Sequence, residues 1–195
     1  MRPEVKVCGV GDPAFAVAAA RAGVDYLGFI FAPSSPRFVT EEKAAEIVKA
    51  LEGVASCRVR KVGVFVSQGA DEILGVMRHV GLDIVQLHRR ASEADVAALR
   101  AAGFEVWSLA GGAPGDGVLF DSSHGDGESA FARGPYKSIV AGGIGEENVG
   151  EALALEPDVI DVNSTLETAP GVKSEALLVR FLEKARALSG ARGKV

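Results

Sequence analysis

One rhythm constrains this chain more than anything else. Short apolar runs alternate with helix-patterned segments almost from end to end, and no long linker or shift in composition interrupts them. Runs at 5–9, 25–31, 61–66, 83–87, 104–109, 118–120, 137–141 and 158–162 read as strands. Neighbouring runs are joined mostly by helical patterns, so the strands must lie parallel, because a parallel pair needs a crossover. Asp12-Pro13 opens a helix over 14–22 that stops at Gly23. Thr40 caps a second helix, whose Ala44, Ile47, Val48 and Leu51 fall at helical spacing. Further helical patterns cover 70–80, 92–102 and 174–188, and 145–155 contains another.

Eight strands in such an alternation predict a (β/α)8 TIM barrel over residues 1–190, with a basic flexible tail at 191–195. A doubly wound open sheet is the alternative. The chain, at 195 residues, is short for a barrel, and the stretch 110–117 accounts for much of that. It reads Ala-Gly-Gly-Ala-Pro-Gly-Asp-Gly, too short and too glycine-rich for a helix, so the fifth crossover should be a bare loop. A dimer would be one way to cover the gap, and either monomer or homodimer is compatible with the sequence.

Other classes are disfavoured. A net charge of −5 with no basic tract argues against a nucleic-acid partner. No apolar run has the length of a membrane span, and no signal-peptide pattern opens the chain. Cys8 and Cys57 suggest no disulfide framework, which points to a reduced, cytoplasmic protein. His79 and His124 have no ligand-like spacing, so no metal site is expected.

A barrel keeps its chemistry at the C-terminal ends of its strands. Those ends carry Cys8, Arg37, Gln86, His88, Asp121, Gly142-Gly143, Asp161 and Asn163-Ser164-Thr165. A thiol, a carboxylate and a glycine turn that lets amides approach a phosphate suit proton transfer on a phosphorylated small molecule. Plainer readings exist for each. Cys8 is a small core residue, Asp121 a turn cap, Arg37 a solvated loop charge, and Lys6 either an activator of the thiol or a partner for Asp161 inside the barrel.

The ordered set Val5-Lys6-Val7-Cys8-Gly9-Val10, Gly28-Phe29-Ile30-Phe31-Ala32-Pro33-Ser34-Ser35-Pro36-Arg37, Val85-Gln86-Leu87-His88, Leu119-Phe120-Asp121-Ser122, Ala141-Gly142-Gly143-Ile144 and Pro170-Gly171-Val172-Lys173 resembles the phosphoribosylanthranilate isomerases of tryptophan biosynthesis. The resemblance implies a cofactor-free Amadori rearrangement. It would make Asp121 the general acid and Cys8 the general base. Arg37 would hold the anthranilate part, with His88 and Asp161 lining the pocket. Gly142, Gly143, Ser164 and Thr165 are expected to bind the phosphate through backbone amides. The chain departs from the family pattern at Gly11, Arg89-Arg90, Ser108-Leu109, the loop 125–128 and Thr165. Those departures keep two other functions in view: another sugar-phosphate isomerase or epimerase, and a non-catalytic phosphate-binding barrel.

Overall fold

Each apolar run forms a strand because alternate residues can be buried on two sides at once. The strands are β1 (Glu4–Val7), β2 (Tyr26–Ile30), β3 (Arg60–Phe65), β4 (Ile84–Leu87), β5 (Glu105–Leu109), β6 (Gly117–Asp121), β7 (Lys137–Ala141) and β8 (Val159–Val162). In the computed structural model, which describes residues 2–54, 58–124 and 131–192, they pair in parallel in sequence order. β8 then returns to β1 through Lys6 opposite Asp161, which closes the barrel. An open sheet is thereby excluded, and none of the eight barrel strands is left with an unpaired edge.

One face of each strand fills the barrel. Cys8, Tyr26, Val62, Val64, Ile84, Trp107, Leu119, Ile139 and Val159 form that interior cluster. The opposite faces, including Val5, Val7, Leu27, Phe29, Val85, Leu87, Val106, Ile160 and Val162, belong to an outer layer packed under the helices. At the N-terminal end the barrel is plugged by polar groups. Tyr26 donates to Glu4 at 2.6 Å, Lys137 donates to the same carboxylate at 2.8 Å, and Trp107 donates to Glu105 at 2.7 Å.

The helices are α1 (Pro13–Arg21), α2 (Glu41–Glu52), α3 (Ala70–Val80), α4 (Glu93–Ala101), α5 (Val149–Ala154) and α6 (Glu175–Arg192). Their starts follow the local chemistry. Asp12 accepts from the Phe15 amide, Thr40 from the Lys43 amide, and Ser92 with Asp95 closes a capping box. α3 stops where Gly81 takes a left-handed conformation. α5 lies within 145–155 and begins only at Val149, because the Asn148 side chain accepts from the Gly145 amide at 2.7 Å and holds the residues before it as a turn. α6 runs to Arg192, two residues into the segment read as a tail. Cys57, the loop 125–128 and the last three residues lie outside the described residues.

The connection from β5 to β6 contains no helix, as its composition predicts. It is stitched down instead. Ser108 Oγ donates to the Ala113 carbonyl at 2.8 Å and accepts from the Gly115 amide at 3.0 Å, while Asp116 accepts from the Val106 amide at 2.9 Å. Gly115 has no room for a side chain, since a Cβ would lie 2.2 Å from the Val106 carbonyl oxygen. The described part of the next connection holds only a 3-10 turn, Ser122–His124. There Phe131 packs edge-on against Phe120, with ring centres 5.3 Å apart. It covers part of the strand face that a helix would otherwise cover.

Replacing Ser108 by alanine should strand the buried Gly115 amide. We expect a loss of about 1–3 kcal/mol in urea denaturation, the cost of an unsatisfied buried donor. A loss within the noise of such titrations would show that the stitch does not hold the loop.

Candidate active site

The C-terminal mouth of the barrel brings the predicted residues together around β1. Cys8 follows that strand directly and is buried. Beside it, β2 carries Gly28, where a Cβ would come within 3.0 Å of Cys8 Sγ and 3.2 Å of Lys6 Cε. Glycine at 28 therefore makes the room that the thiol and the lysine share. Lys6 is fully buried and donates to Asp161 Oδ2 at 2.6 Å. Both readings open for Lys6 keep a place, since it pairs with Asp161 and also stands within hydrogen-bonding reach of the Cys8 sulfur. Burial works against the Lys6 charge, but Asp161 and Cys8 outweigh it and hold its pKa above the ordinary value. Burial also pushes the Cys8 thiol up, with Lys6 pulling the other way and Asp161 adding to the rise. At rest, then, the thiol keeps its proton more firmly than an ordinary cysteine.

Asp121 closes β6 and uses its two oxygens differently. Oδ1 accepts from the Ser123 amide at 2.9 Å and from Ser123 Oγ at 2.5 Å, so the turn-cap reading is correct for that oxygen. Oδ2 faces His88 Nε2 at 3.6 Å, beyond a direct hydrogen bond. One oxygen fixes the carboxyl and the other faces its neighbours in the mouth. His88 follows β4, two residues beyond Gln86, so both side chains point into the barrel. Gln86 Oε1 and Asp161 Oδ1 are buried acceptors with no hydrogen-bond partner among the described residues.

Arg37 does not stand free. Its Nε and Nη2 donate to the two oxygens of Glu167, each at 2.8 Å, in a bidentate fork. Glu167 also accepts from Lys173 at 2.8 Å, and Lys173 donates to the carbonyl and to Oδ1 of Asn163 at 3.0 and 2.7 Å. Burial pushes the Glu167 carboxyl up, but the two cations outweigh it and bring it down to about 2. The clasp is built by a hairpin after β8, β9 (Glu167–Ala169) and β10 (Val172–Lys173), whose register sets Lys173 opposite Glu167. Gly9, with φ of +69°, completes the approach: a Cβ there would lie 2.9 Å from Arg37 Cδ and 3.0 Å from Asn163 Oδ1.

The expected phosphate end lies on the loops after β7 and β8. Gly142 and Gly143 both have positive φ, at +103° and +63°. A side chain at Gly142 would strike Ser122, while one at Gly143 would meet open space. The amides of Gly143, Ser164 and Thr165 take no backbone partner among the described residues, and Thr165 Oγ1 donates to the Ile144 carbonyl. That bond ties the two loops to each other. A cavity of about 710 Å³ opens at the opposite, N-terminal end of the barrel, between Glu4, Arg133, Lys137 and Glu156. Its charges already pair with one another, Lys137 with Glu4 and Arg133 with Glu156, so the chemistry rather than the volume marks the site.

Several departures from the family pattern have local explanations. Arg89 pairs with Asp95 of the α4 capping box at 2.8 Å, and Ser108 holds the bare crossover. Glu167 and Lys173 are not picked out from the sequence as site residues. Their signal was available: they are the paired ends of a Pro170-Gly171 turn placed just after the eighth strand.

Comparisons with known proteins agree with this geometry. The family model of N-(5'-phosphoribosyl)anthranilate (PRA) isomerase matches residues 5–184. The N-(5'-phosphoribosyl)anthranilate isomerase of Rubrobacter xylanophilus is 36% identical, over 94% of this chain and 98% of its own. Among solved structures, a phosphoribosyl anthranilate isomerase from Thermus thermophilus superposes with a TM-score of 0.82 at 30% identity, covering 95% of this chain and 99% of its own. Another, solved in complex with reduced 1-(o-carboxyphenylamino)-1-deoxyribulose 5-phosphate, gives a TM-score of 0.80 at 26% identity, covering 95% and 99%.

The clasp predicts an acid-dependent stability. The Glu167 pKa falls from 4.5 to about 2 on folding, so its contribution is complete above pH 4.5 and is lost as pH falls through the folded value. The gap in urea midpoint between the wild type and Glu167→Gln should therefore shrink steadily from pH 5 to pH 3. A gap that stays constant over that range would mean the carboxylate is not held by the two cations.

Proposed function

The chain belongs to the phosphoribosylanthranilate isomerase family, and we propose that Cys8 and Asp121 are the base and the acid of its reaction. That reaction is the rearrangement of N-(5-phosphoribosyl)anthranilate to 1-(2-carboxyphenylamino)-1-deoxyribulose 5-phosphate in tryptophan biosynthesis. The observation that carries the assignment is one of placement. The thiol and the carboxyl close β1 and β6 at the same mouth, separated around the ring by β7 and β8. Asp161 on β8 lies within electrostatic reach of both.

The chemistry needs a proton given and a proton taken. Asp121 donates to the ring oxygen as the C1–O bond breaks, and the anthranilate nitrogen lone pair forms the C1=N bond. Cys8, as thiolate, removes the C2 proton, and the electron pair moves to give an enolamine. Protonation at C1 and loss of the enol proton then leave the ketone. Oxidation moves from C1 to C2 within one molecule, so the proton movements balance without an outside reductant.

The remaining residues divide the substrate among them in this proposal. Amides of Gly143, Ser164 and Thr165 hold the phosphate, with Gly142 shaping the turn. Arg37 meets the anthranilate carboxylate. It has donors for this, since a guanidinium carries five N–H groups and Glu167 takes two. Asp161 Oδ1 and His88 line the pocket wall as acceptor and neighbour. Residence in the cytoplasm is part of the same proposal and rests on the biosynthetic family. Among the described residues no helix is long and apolar enough to cross a membrane.

Cys8→Ala and Asp121→Asn should each lower kcat by about two to four orders of magnitude, the contribution of a positioned acid or base. KM should change far less, because neither group is assigned to binding. Steady-state and single-turnover fluorescence assays on freshly made phosphoribosylanthranilate, with circular dichroism as the folding control, measure both. Near-normal kcat in Cys8→Ala would remove the thiol from the mechanism.

A further inference from the structure

We propose that Glu167 is a positioning residue for carboxylate recognition: it holds one edge of the Arg37 guanidinium so that the remaining donors meet the carboxylate of the substrate. The inference rests on the reading of Arg37 given above and adds the part that makes Arg37 selective.

The geometry supports it in three ways. First, Glu167 cannot swing aside. Its side chain is only 4% exposed, and both oxygens are engaged, Oε1 by Arg37 Nε and Lys173 and Oε2 by Arg37 Nη2. Second, the holder is itself held. Lys173 is 2% exposed and is fixed to Asn163 at the end of β8 through two bonds. The guanidinium is therefore placed relative to the strand beside Cys8, across the Gly9 turn that its own side chain packs against. An arginine without such a brace would sample many rotamers and lose that freedom on binding. Third, the charges count correctly. Two cations share one carboxylate in the clasp, which leaves a single positive charge for one incoming anion. A second carboxylate oxygen pair is what the ring substituent of the substrate supplies.

The consequence is a division of labour that sequence distance hides. Arg37 lies after β2 and Glu167 after β8, 130 residues apart, yet they act as one recognition unit. Removing the Glu167 charge leaves Arg37 its own charge but not its direction. The loss should then fall on ligands that present the carboxylate and spare those that lack it.

The test uses two probes: the reduced carboxyphenylamino-deoxyribulose phosphate and the same molecule with an unsubstituted phenyl ring. Calorimetry gives the affinity of each for the wild type, Arg37→Ala, Glu167→Gln, and Glu167→Gln combined with Lys173→Met. The wild type should prefer the carboxylated probe by about 10- to 100-fold, the range of a charge-assisted pair. Arg37→Ala should abolish the preference. Glu167→Gln should cut it to about threefold or less, with the phenyl probe bound within about twofold of wild type. In turnover, the same change should appear in KM more than in kcat. Should Glu167→Gln fail to fold, the double variant removes the Lys173 cation, which has lost its carboxylate partner, and is read in the same way.

Equal weakening of both probes in Glu167→Gln would mean a purely structural role and would overturn the proposal. So would a preserved preference for the carboxylated probe. If instead Arg37→Ala keeps the preference, the carboxylate reading of Arg37 itself fails, which is a different result from failure of the brace alone.

Discussion

Everything at the mouth of this barrel stands on the bond between Lys6 and Asp161. It joins β1 to β8 at the seam where the sheet closes, and it does so with side chains that are almost wholly out of water. A buried pair of this kind adds little net stability when whole, yet removing one partner costs about 3–5 kcal/mol. Here it sits in line with the Cys8 thiol, since Lys6 and Cys8 share one face of the first strand. The pair fixes the wall beneath Cys8, and Gly28 on the neighbouring strand supplies the space. The ammonium serves both neighbours, pairing with Asp161 while its charge and hydrogen bonding pull the Cys8 thiol down against the rise from burial.

The same economy appears around the rim, where each candidate group is held by a neighbour. Ser123 fixes Asp121, Glu167 fixes Arg37, and Thr165 joins the loops after β7 and β8. The bare fifth crossover shows the converse. Where no helix covers the strands, a hydroxyl and a carboxylate stitch the loop to β5, and Phe131 shields Phe120. The chain keeps the closed sheet, which carries the site, and economises on the outer layer, which does not.

Much of this was legible in the sequence because strand alternation and caps are local properties. Asp12, Thr40 and Gly23 mark helix ends through their own side chains or lack of one, and the eight apolar runs announce a parallel sheet. Cys8, His88, Asp121 and Asp161 were found because they sit at strand ends, which a barrel gathers at one face. The unread part was long-range. Nothing near Arg37 reveals that its fork is filled by Glu167, since the pairing depends on the closure that sets β8 beside β1 and β2. The helix within 145–155 was legible, but its start was not, because only the bond from the Gly145 amide to Asn148 shows that the stretch before Val149 makes a turn.

The most direct test is the titration of the Cys8 thiol itself. Ultraviolet absorbance of the thiolate can be followed against pH in a Cys57→Ser background, with Cys8→Ala in the same background as the blank. If Lys6 pairs with Asp161 and burial dominates, the midpoint lies above the ordinary thiol value of 9.0. A midpoint well below 9.0 would mean that the Lys6 charge serves the sulfur instead, and the buried pair would not be the support that the site depends on.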